Sequence, residues 1–173
     1  ILTQPVRALY ISTYIPRKCG IATFTKDLTN AINLINPLAL AQIAAMDNQL
    51  SEEIRYPHEV RYRIRQEVKE DYDEVVNYVN ETGEVDIVVI QHEFGIFGGE
   101  NGALILELVE KLQKPFVVTL HTVLEKPTSK MKEIIYLLGK KAQFMVVMLE
   151  AAGELLVKKY HVDRRKVIAI PHG

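Results

Sequence analysis

The chain has 173 residues, of which 48% are hydrophobic and 25% are charged, and its formal net charge at pH 7 is −1. This composition fits one globular domain with a substantial core and excludes a disordered chain. The balanced charge supplies no basic field for nucleic acid, so we expect no nucleic-acid partner. Cys19 is the only cysteine, which excludes an internal disulfide and a multi-cysteine metal cluster and favours a reducing, cytoplasmic location.

Short apolar runs alternate with segments of helical period along the chain. Residues 6–12 are predicted to form a strand, and the next segment is a helix that closes at Pro37. The apolar positions that fall on one face of this helix are Ile21, Phe24, Leu28, Ala31, Ile32 and Ile35. Residues 38–46 form a second apolar run. Residues 59–65 alternate arginine with apolar residues, which indicates an edge strand with one wet face.

The same alternation continues to the end of the chain. Strands are predicted over residues 86–90, 116–120, 143–148 and 166–170. A helical segment precedes each of these strands, and these segments cover, in the same order, residues 68–79, 104–112, 131–138 and 149–156. Such alternation predicts an α/β fold: a doubly wound, mostly parallel Rossmann-like sheet of about seven strands with helices on both faces. We expect residues 1–173 to form this single domain.

Three of the five histidines stand at the carboxyl end of a predicted strand, namely His92, His121 and His172. In a parallel sheet these ends lie along one edge, where backbone groups and helix N-termini converge on ligands. The sequence therefore predicts a ligand site at this edge.

The segment between the first strand and the first helix, residues 12–23, contains Gly20 and the basic residues Arg17 and Lys18. A glycine lets a ligand approach the backbone, and the N–H groups of a helix N-terminus attract an anion. The single glycine excludes both the G-x-G-x-x-G fingerprint and a Walker A loop. An ordinary turn with solvated basic side chains is the alternative.

A second segment, residues 91–102, carries four glycines among polar and aromatic residues, directly after a buried strand. We interpret it as a mobile binding loop, in which Phe94 and Phe97 stack on a sugar or shield it from water. The alternative is structural: His92 caps the sheet edge through a local hydrogen bond and both phenylalanines belong to the core. His92 and Glu93 do not continue into H-E-x-x-H, so we expect no metal site.

His121 follows the next strand directly, and it is expected beside His92 and the loop of Gly20 if these strands are neighbours in the sheet. A neutral imidazole donates one hydrogen bond and accepts another, which suits a sugar hydroxyl or a phosphate oxygen. A buried structural histidine is the alternative. The arginines at positions 55, 61, 63 and 65 suit an anionic acceptor or peripheral contact with a membrane surface, or they only protect an edge strand from aggregation.

Four motifs, in order along almost the whole chain, resemble one family. They are residues 14–24 (YIPRKCGIATF), residues 91–99 (QHEFGIFGG), His121 with Thr122, and residues 167–173 (VIAIPHG). Together they resemble the N-terminal half of a group 1 (family 4) glycosyltransferase of the GT-B fold.

The resemblance implies an enzyme with two Rossmann-like domains that face each other across a cleft. This chain would be the acceptor side, and the donor-binding C-terminal domain is expected beyond residue 173. Such enzymes move a hexosyl group, with retention, from a nucleoside-diphosphate sugar to a hydroxyl of a carbohydrate or lipid-linked acceptor. The resemblance implies no metal and no cofactor besides this donor substrate.

Carried over position by position, Gly20, Arg17 and Lys18 would hold the donor phosphate and sugar, and His121 would be the catalytic residue that bonds the transferred sugar. The residues assigned to the acceptor are Tyr14, His92, Glu93, Phe94, Phe97 and Gly98. Family members often have a serine after the sixth strand, where this chain has Met148, Leu149 and Glu150, so no ligand role is implied there.

Two other functions stay open. One is a stand-alone binding or regulatory module with a flavodoxin-like or Rossmann-like fold and no chemistry of its own. The other is a nicotinamide-dependent dehydrogenase, which the absent glycine fingerprint disfavours.

Overall fold

The computed structural model describes residues 4–48 and 54–171, which form seven strands and five helices. The strands are β1 (Ala8–Ser12), β2 (Gln42–Asp47), β3 (Val60–Arg65), β4 (Ile87–His92), β5 (Phe116–Leu120), β6 (Phe144–Val147) and β7 (Val167–Ala169). The helices are α1 (Gly20–Ile35), α2 (Lys69–Glu81), α3 (Leu104–Lys111), α4 (Ser129–Lys141) and α5 (Glu150–Tyr160).

All strands pair in parallel, in the order β3-β2-β1-β4-β5-β6-β7. The chain starts in the middle of the sheet, runs out to one edge and then returns to build the other half. This is the doubly wound, Rossmann-like α/β sheet that the alternation of strands and helices predicts. The arginine-rich strand β3 is an edge strand, as its alternating pattern indicates.

Two strand boundaries differ from the prediction. The run over residues 38–46 begins with a turn in which Leu38 and Leu40 are exposed, and β2 starts only at Gln42. Strand β4 continues beyond residue 90, so His92 is its last residue and not the first residue of a loop. His172, the third strand-end histidine, lies outside the described residues together with Gly173.

The sheet separates two apolar clusters, because successive side chains of a strand point to opposite faces. In β1, Leu9 and Ile11 belong to the larger cluster, to which α2, α3, α4 and α5 contribute. Tyr10 and, in β4, Val89 belong to the smaller cluster on the other face, where Leu28 of α1 packs. Within the described ranges, α1 is the one helix that contributes to this smaller cluster.

Helix α1 buries small and polar residues instead of its apolar stripe. The buried positions are Ala22, Thr25 and Thr29, whereas Ile35 is exposed. Small side chains let the helix lie close to the sheet, and the hydroxyls of Thr25 and Ser12 share a hydrogen bond of 2.7 Å. The half-buried apolar residues of the stripe therefore flank the helix rather than face the core directly.

None of the helices in the part of the chain that the structure describes is both long and apolar enough to cross a bilayer.

Candidate functional site

The carboxyl ends of β1, β4 and β5 form one continuous edge, because these strands are neighbours in the sheet. Helix α1 begins at this edge with Gly20. One turn further, the ring of Phe24 meets the ring of His121 edge to face, with centroids 5.0 Å apart. The backbone N–H of His121 donates to the carbonyl oxygen of His92 at 3.0 Å. The structure thus brings the start of α1, His92 and His121 to the same edge.

His121 lies half-buried just after β5, on the sheet face that α1 covers. Its Nε2 lies 2.8 Å from Oε1 of Gln91, a fully buried residue of β4. The carboxamide of Gln91 and the ring of Phe24 hold the imidazole, which is still partly exposed at this edge. This arrangement suits binding and orientation of a polar group.

His92 has the opposite environment. It is fully buried, and its ring lies between Phe94, at a centroid distance of 5.0 Å, and Phe97, at 5.7 Å. Neither ring nitrogen has a hydrogen-bond partner among the described residues. Burial, with a smaller contribution from His121, lowers the pKa of His92 to about 3. The ring is therefore neutral and faces packed side chains; the predicted capping hydrogen bond is not formed within the ranges that the structure covers.

Three further residues that the resemblance assigns to the acceptor are buried. Phe94 and Phe97 belong to the larger apolar cluster, as the structural alternative for this pair predicts. Gly98 is also buried, and a Cβ at this position would lie 2.0 Å from the carbonyl oxygen of Gln66. Packing alone accounts for these residues. Their acceptor role stays a prediction, and it requires this segment to open.

The four-glycine segment is bonded to the junction of β3 and α2. Nε2 of Gln66 donates to the carbonyl oxygens of Gly95 and Phe97, both at 3.2 Å. The Gly98 N–H donates to the Tyr72 hydroxyl at 3.0 Å, and this hydroxyl donates to the Gln66 carbonyl oxygen at 2.8 Å. Burial raises the pKa of Tyr72 to about 12, so the hydroxyl keeps its proton. The segment is thus a turn held by hydrogen bonds to Gln66 and Tyr72, and not the mobile loop predicted from its glycines.

Glu93 is the residue of this acceptor set that stays partly exposed. Its carboxylate accepts from the Phe94 N–H at 3.0 Å and from the hydroxyl of Thr122. It therefore ties the end of β4 to the residues after β5. Tyr14, in contrast, is buried in the smaller cluster and donates to Oε1 of Glu59 at 3.0 Å, so packing between α1 and the sheet accounts for it.

The N-terminus of α1 is open on its outer side. The Sγ atom of Cys19 caps the helix by accepting from the Ala22 N–H at 3.4 Å. A Cβ on Gly20 would meet no atom within 4 Å, so packing does not demand glycine there. Lys18 is exposed, whereas the guanidinium of Arg17 turns toward the carbonyl oxygen of Met46, 3.5 Å away. Gly20 and Lys18 thus lie on the rim, and Arg17 leans toward β2.

Within residues 4–48 and 54–171, no group of three or more histidine, cysteine, aspartate or glutamate side chains is arranged to hold a metal ion.

Two residues that shape this edge, Gln91 and Phe24, had no predicted functional role of their own. For Gln91, the sequence signal that could have identified it is the alternation of side chains along a strand. Gln91 is a polar residue near the end of an apolar strand, one position before His92, so the two side chains must point to opposite faces. Phe24 follows Gly20 by four residues and therefore lies on the same side of α1.

No protein-family model and no curated protein matches the sequence. Among solved structures, a glycosyltransferase from Rickettsia africae matches with a TM-score of 0.64 at 14% identity, over 98% of this chain and 44% of that protein. A sucrose-phosphate synthase from Thermosynechococcus elongatus matches with a TM-score of 0.57 at 13% identity, over 98% of this chain and 90% of that chain. The chain spans less than half of the Rickettsia protein. These matches show that it has a glycosyltransferase-like, Rossmann-like fold.

Proposed function

We propose that the chain is the N-terminal, acceptor-side domain of a retaining glycosyltransferase of group 1 (family 4) with the GT-B fold. Such an enzyme moves a hexosyl group from a nucleoside-diphosphate sugar to an acceptor hydroxyl. One observation carries the proposal: at the ligand-binding edge of a glycosyltransferase-like sheet, the first turn of α1 meets His121 through Phe24.

The start of α1 supplies what a diphosphate requires. Among the described residues, the backbone N–H groups of Gly20 and Ile21 donate to no protein acceptor. The side chain of Cys19 caps a different group, the N–H of Ala22. Unpaired N–H groups and the helix dipole stabilise negative charge, and Lys18 adds a cation nearby. In the proposed reaction these groups stabilise the departing diphosphate.

His121 supplies the hydrogen bond to the sugar. A half-buried imidazole held by neighbouring side chains binds a hydroxyl in a fixed direction, and closure of a second domain over this edge would exclude water that competes as an acceptor. Glu93, the partly exposed residue at the end of β4, is the best placed of the predicted acceptor residues.

Chemical-shift mapping of the ¹⁵N-labelled chain tests the proposal. Millimolar UDP-glucose or GDP-mannose should shift the amides of residues 18–24 and 121–122, and Lys18→Ala should weaken the effect. Lys130→Ala, which removes a half-buried lysine paired with Glu133 on α4, is the control at a site away from α1. Shifts confined to the opposite edge of the sheet, or none with either nucleotide sugar, would overturn the proposal.

A ligand-binding module without chemistry is the second candidate. The burial of His92, Phe94 and Phe97 favours it, because few polar groups remain at the edge to recognise an acceptor. Shifts at the same amides with FMN or NADH, and none with nucleotide sugars, would select this candidate.

A further inference from the structure

The half-buried arginine Arg17 forms no ion pair with any of the described residues. The other arginines are all exposed, and most of them pair with a carboxylate. The guanidinium of Arg17 points instead to the carbonyl oxygen of Met46, and the distance of 3.5 Å is long for a charged donor. A partly buried charge is rarely left without a counter-charge. Arg17 is therefore a cation whose hydrogen-bond donors the described residues leave largely unused.

A second guanidinium, that of Arg63, lies near Arg17 at the carboxyl edge of the sheet. Arg63 of β3 forms an ion pair with Asp47, the buried last residue of β2, and the Arg63 side chain remains 37% exposed. Arg17 follows β1, and β2 lies between β1 and β3. The two guanidiniums therefore approach Asp47 from the two sides of β2.

The hydroxyl of Tyr56 shows that these charges converge. Burial, together with the carboxylate of Asp47, raises the pKa of Tyr56 to about 12, whereas Arg63 and Arg17 act in the opposite direction. All three charged groups thus lie within electrostatic reach of this one hydroxyl. The hydroxyl keeps its proton, and this buried donor has no hydrogen-bond partner in the described part of the chain.

The hydrogen-bonding capacity that the cluster offers consists of donors. A guanidinium has five N–H donors and no acceptor, and the carboxylate of Asp47 is engaged by Arg63. Two arginines against one aspartate also leave one positive charge. Such a cluster favours a group that only accepts hydrogen bonds and carries negative charge. Phosphate and carboxylate are such groups, and a planar guanidinium binds either through two parallel hydrogen bonds.

We propose that Arg17 and Arg63 bind an oxyanion, either a phosphate or a carboxylate, that is part of the acceptor. The inference rests on the proposed function and names its substrate class, a sugar acceptor that carries such a group. Arg17 then determines acceptor specificity, whereas Lys18 and the start of α1 bind the diphosphate of the donor. Two adjacent residues of one loop thus serve the two substrates.

Titration of the ¹⁵N-labelled chain with millimolar glucose 6-phosphate, glucuronate and glucose tests the site. We expect one or both anionic sugars to shift the amides of residues 47 and 63–66, and glucose to leave them unchanged. A response to glucose 6-phosphate alone identifies phosphate as the recognised group, and a response to glucuronate alone identifies carboxylate. Equal shifts with glucose, or no response to either anionic sugar, would contradict the inference.

Arg17→Gln removes the guanidinium without breaking an ion pair to the described residues. It should weaken binding of the anionic sugar about tenfold or more, as for the loss of a hydrogen bond to a charged group. Arg61→Gln is the matched control, because Arg61 is an exposed arginine near the other end of β3, and it should leave the affinity unchanged.

Unchanged affinity in Arg17→Gln would overturn the inference. If Lys18→Ala weakens binding and Arg17→Gln does not, the anion binds at the start of α1 instead. The nucleotide-sugar mapping uses other ligands and the amides of residues 18–24 and 121–122. Failure of the acceptor site therefore leaves that result standing, and failure of the nucleotide-sugar mapping is recognised separately.

Discussion

The ends of β4 and β5 lie side by side in the sheet, yet the histidine at each end has a different environment. His92 is fully buried between two phenylalanines, whereas His121 is half-buried and bonded to Gln91. The cause is an offset of one residue. His92 is in register with Leu120, so His121 falls on the opposite face of the sheet. Two histidines at neighbouring strand ends are therefore not two equivalent ligand residues.

The segments beside the two histidines also differ. On the side of His92, residues 93–102 turn back over the sheet and are held by Gln66 and Tyr72. On the side of His121, α1 starts with an exposed glycine, and the N–H groups of Gly20 and Ile21 have no protein acceptor among the described residues. Packing thus explains the first region. The second has the exposure and the polar groups that a ligand requires.

The largest effect on stability is expected from adding a methyl group at Gly98. A Cβ there would lie 2.0 Å from the carbonyl oxygen of Gln66 and 2.7 Å from Cδ1 of Leu104. Because backbone must move to relieve this overlap, Gly98→Ala should lower the free energy of unfolding by about 3 kcal/mol or more. Urea unfolding measures the change. Gly20→Ala is the control and should change stability by less than about 1 kcal/mol; equal losses in both variants would contradict the comparison.

The next effect concerns the pH dependence of stability that His92 causes. Burial lowers its pKa in the folded chain to about 3, below the ordinary value of 6.5 expected for the unfolded chain. Between these values the unfolded state binds the extra proton. The contribution of neutral His92 to the free energy of unfolding is therefore fully present above about pH 6.5. It is lost as the pH falls, and the loss levels off below about pH 3. From pH 7 to pH 5 the expected loss is about 2 kcal/mol.

His92→Leu isolates this contribution, because titration of all other groups is shared with the wild type. Urea unfolding at pH 7 and at pH 5 should show that the variant loses about 2 kcal/mol less than the wild type. At pH 7 the variant should be at least as stable, since it removes two buried polar atoms without partners. An identical pH dependence in both proteins would mean that His92 is accessible to water.

His121→Ala should have the opposite profile, a small effect on stability and a larger one on function. The variant loses the hydrogen bond to Gln91 and the ring contact with Phe24, so the free energy of unfolding should fall by about 1–2 kcal/mol. In the proposed glycosyltransferase with both domains, kcat/KM should fall about tenfold, as for one lost hydrogen bond to the sugar. His58→Ala is the control, because its side chain is 97% exposed. A large loss of stability with unchanged kinetics would make His121 a structural histidine.

The smallest effect is expected at the bridge between the two strand ends. Thr122→Val removes the hydrogen bond from the hydroxyl to the carboxylate of Glu93. Stability measured by urea unfolding should fall by about 0.5–1 kcal/mol. Thr119→Val, at a buried hydroxyl of the same strand ladder, should cost less. A larger loss of stability in Thr119→Val than in Thr122→Val would show that the hydrogen bond between Thr122 and Glu93 does not join the ends of β4 and β5.

Much of the fold was predictable because it follows from local periodicity. Period-2 and period-3.6 patterns depend on residues close in sequence, and their alternation led to the doubly wound sheet and its arginine-rich edge strand β3. The contents of the site were less predictable. The glycines of residues 91–102 suggested mobility, but the bonds that hold this segment come from Gln66 and Tyr72, which no local pattern connects to it.

The sequence by itself determined that polar residues, glycines and histidines collect at the carboxyl edge of a parallel sheet, because the parallel direction of the strands follows from the alternation of strands and helices. Only the tertiary structure decided which of these residues meet. The register between β4 and β5 sends His92 into the core and His121 toward α1, and the close packing of α1 on its small residues brings Phe24 against His121. These outcomes depend on contacts between distant segments, which local patterns do not specify.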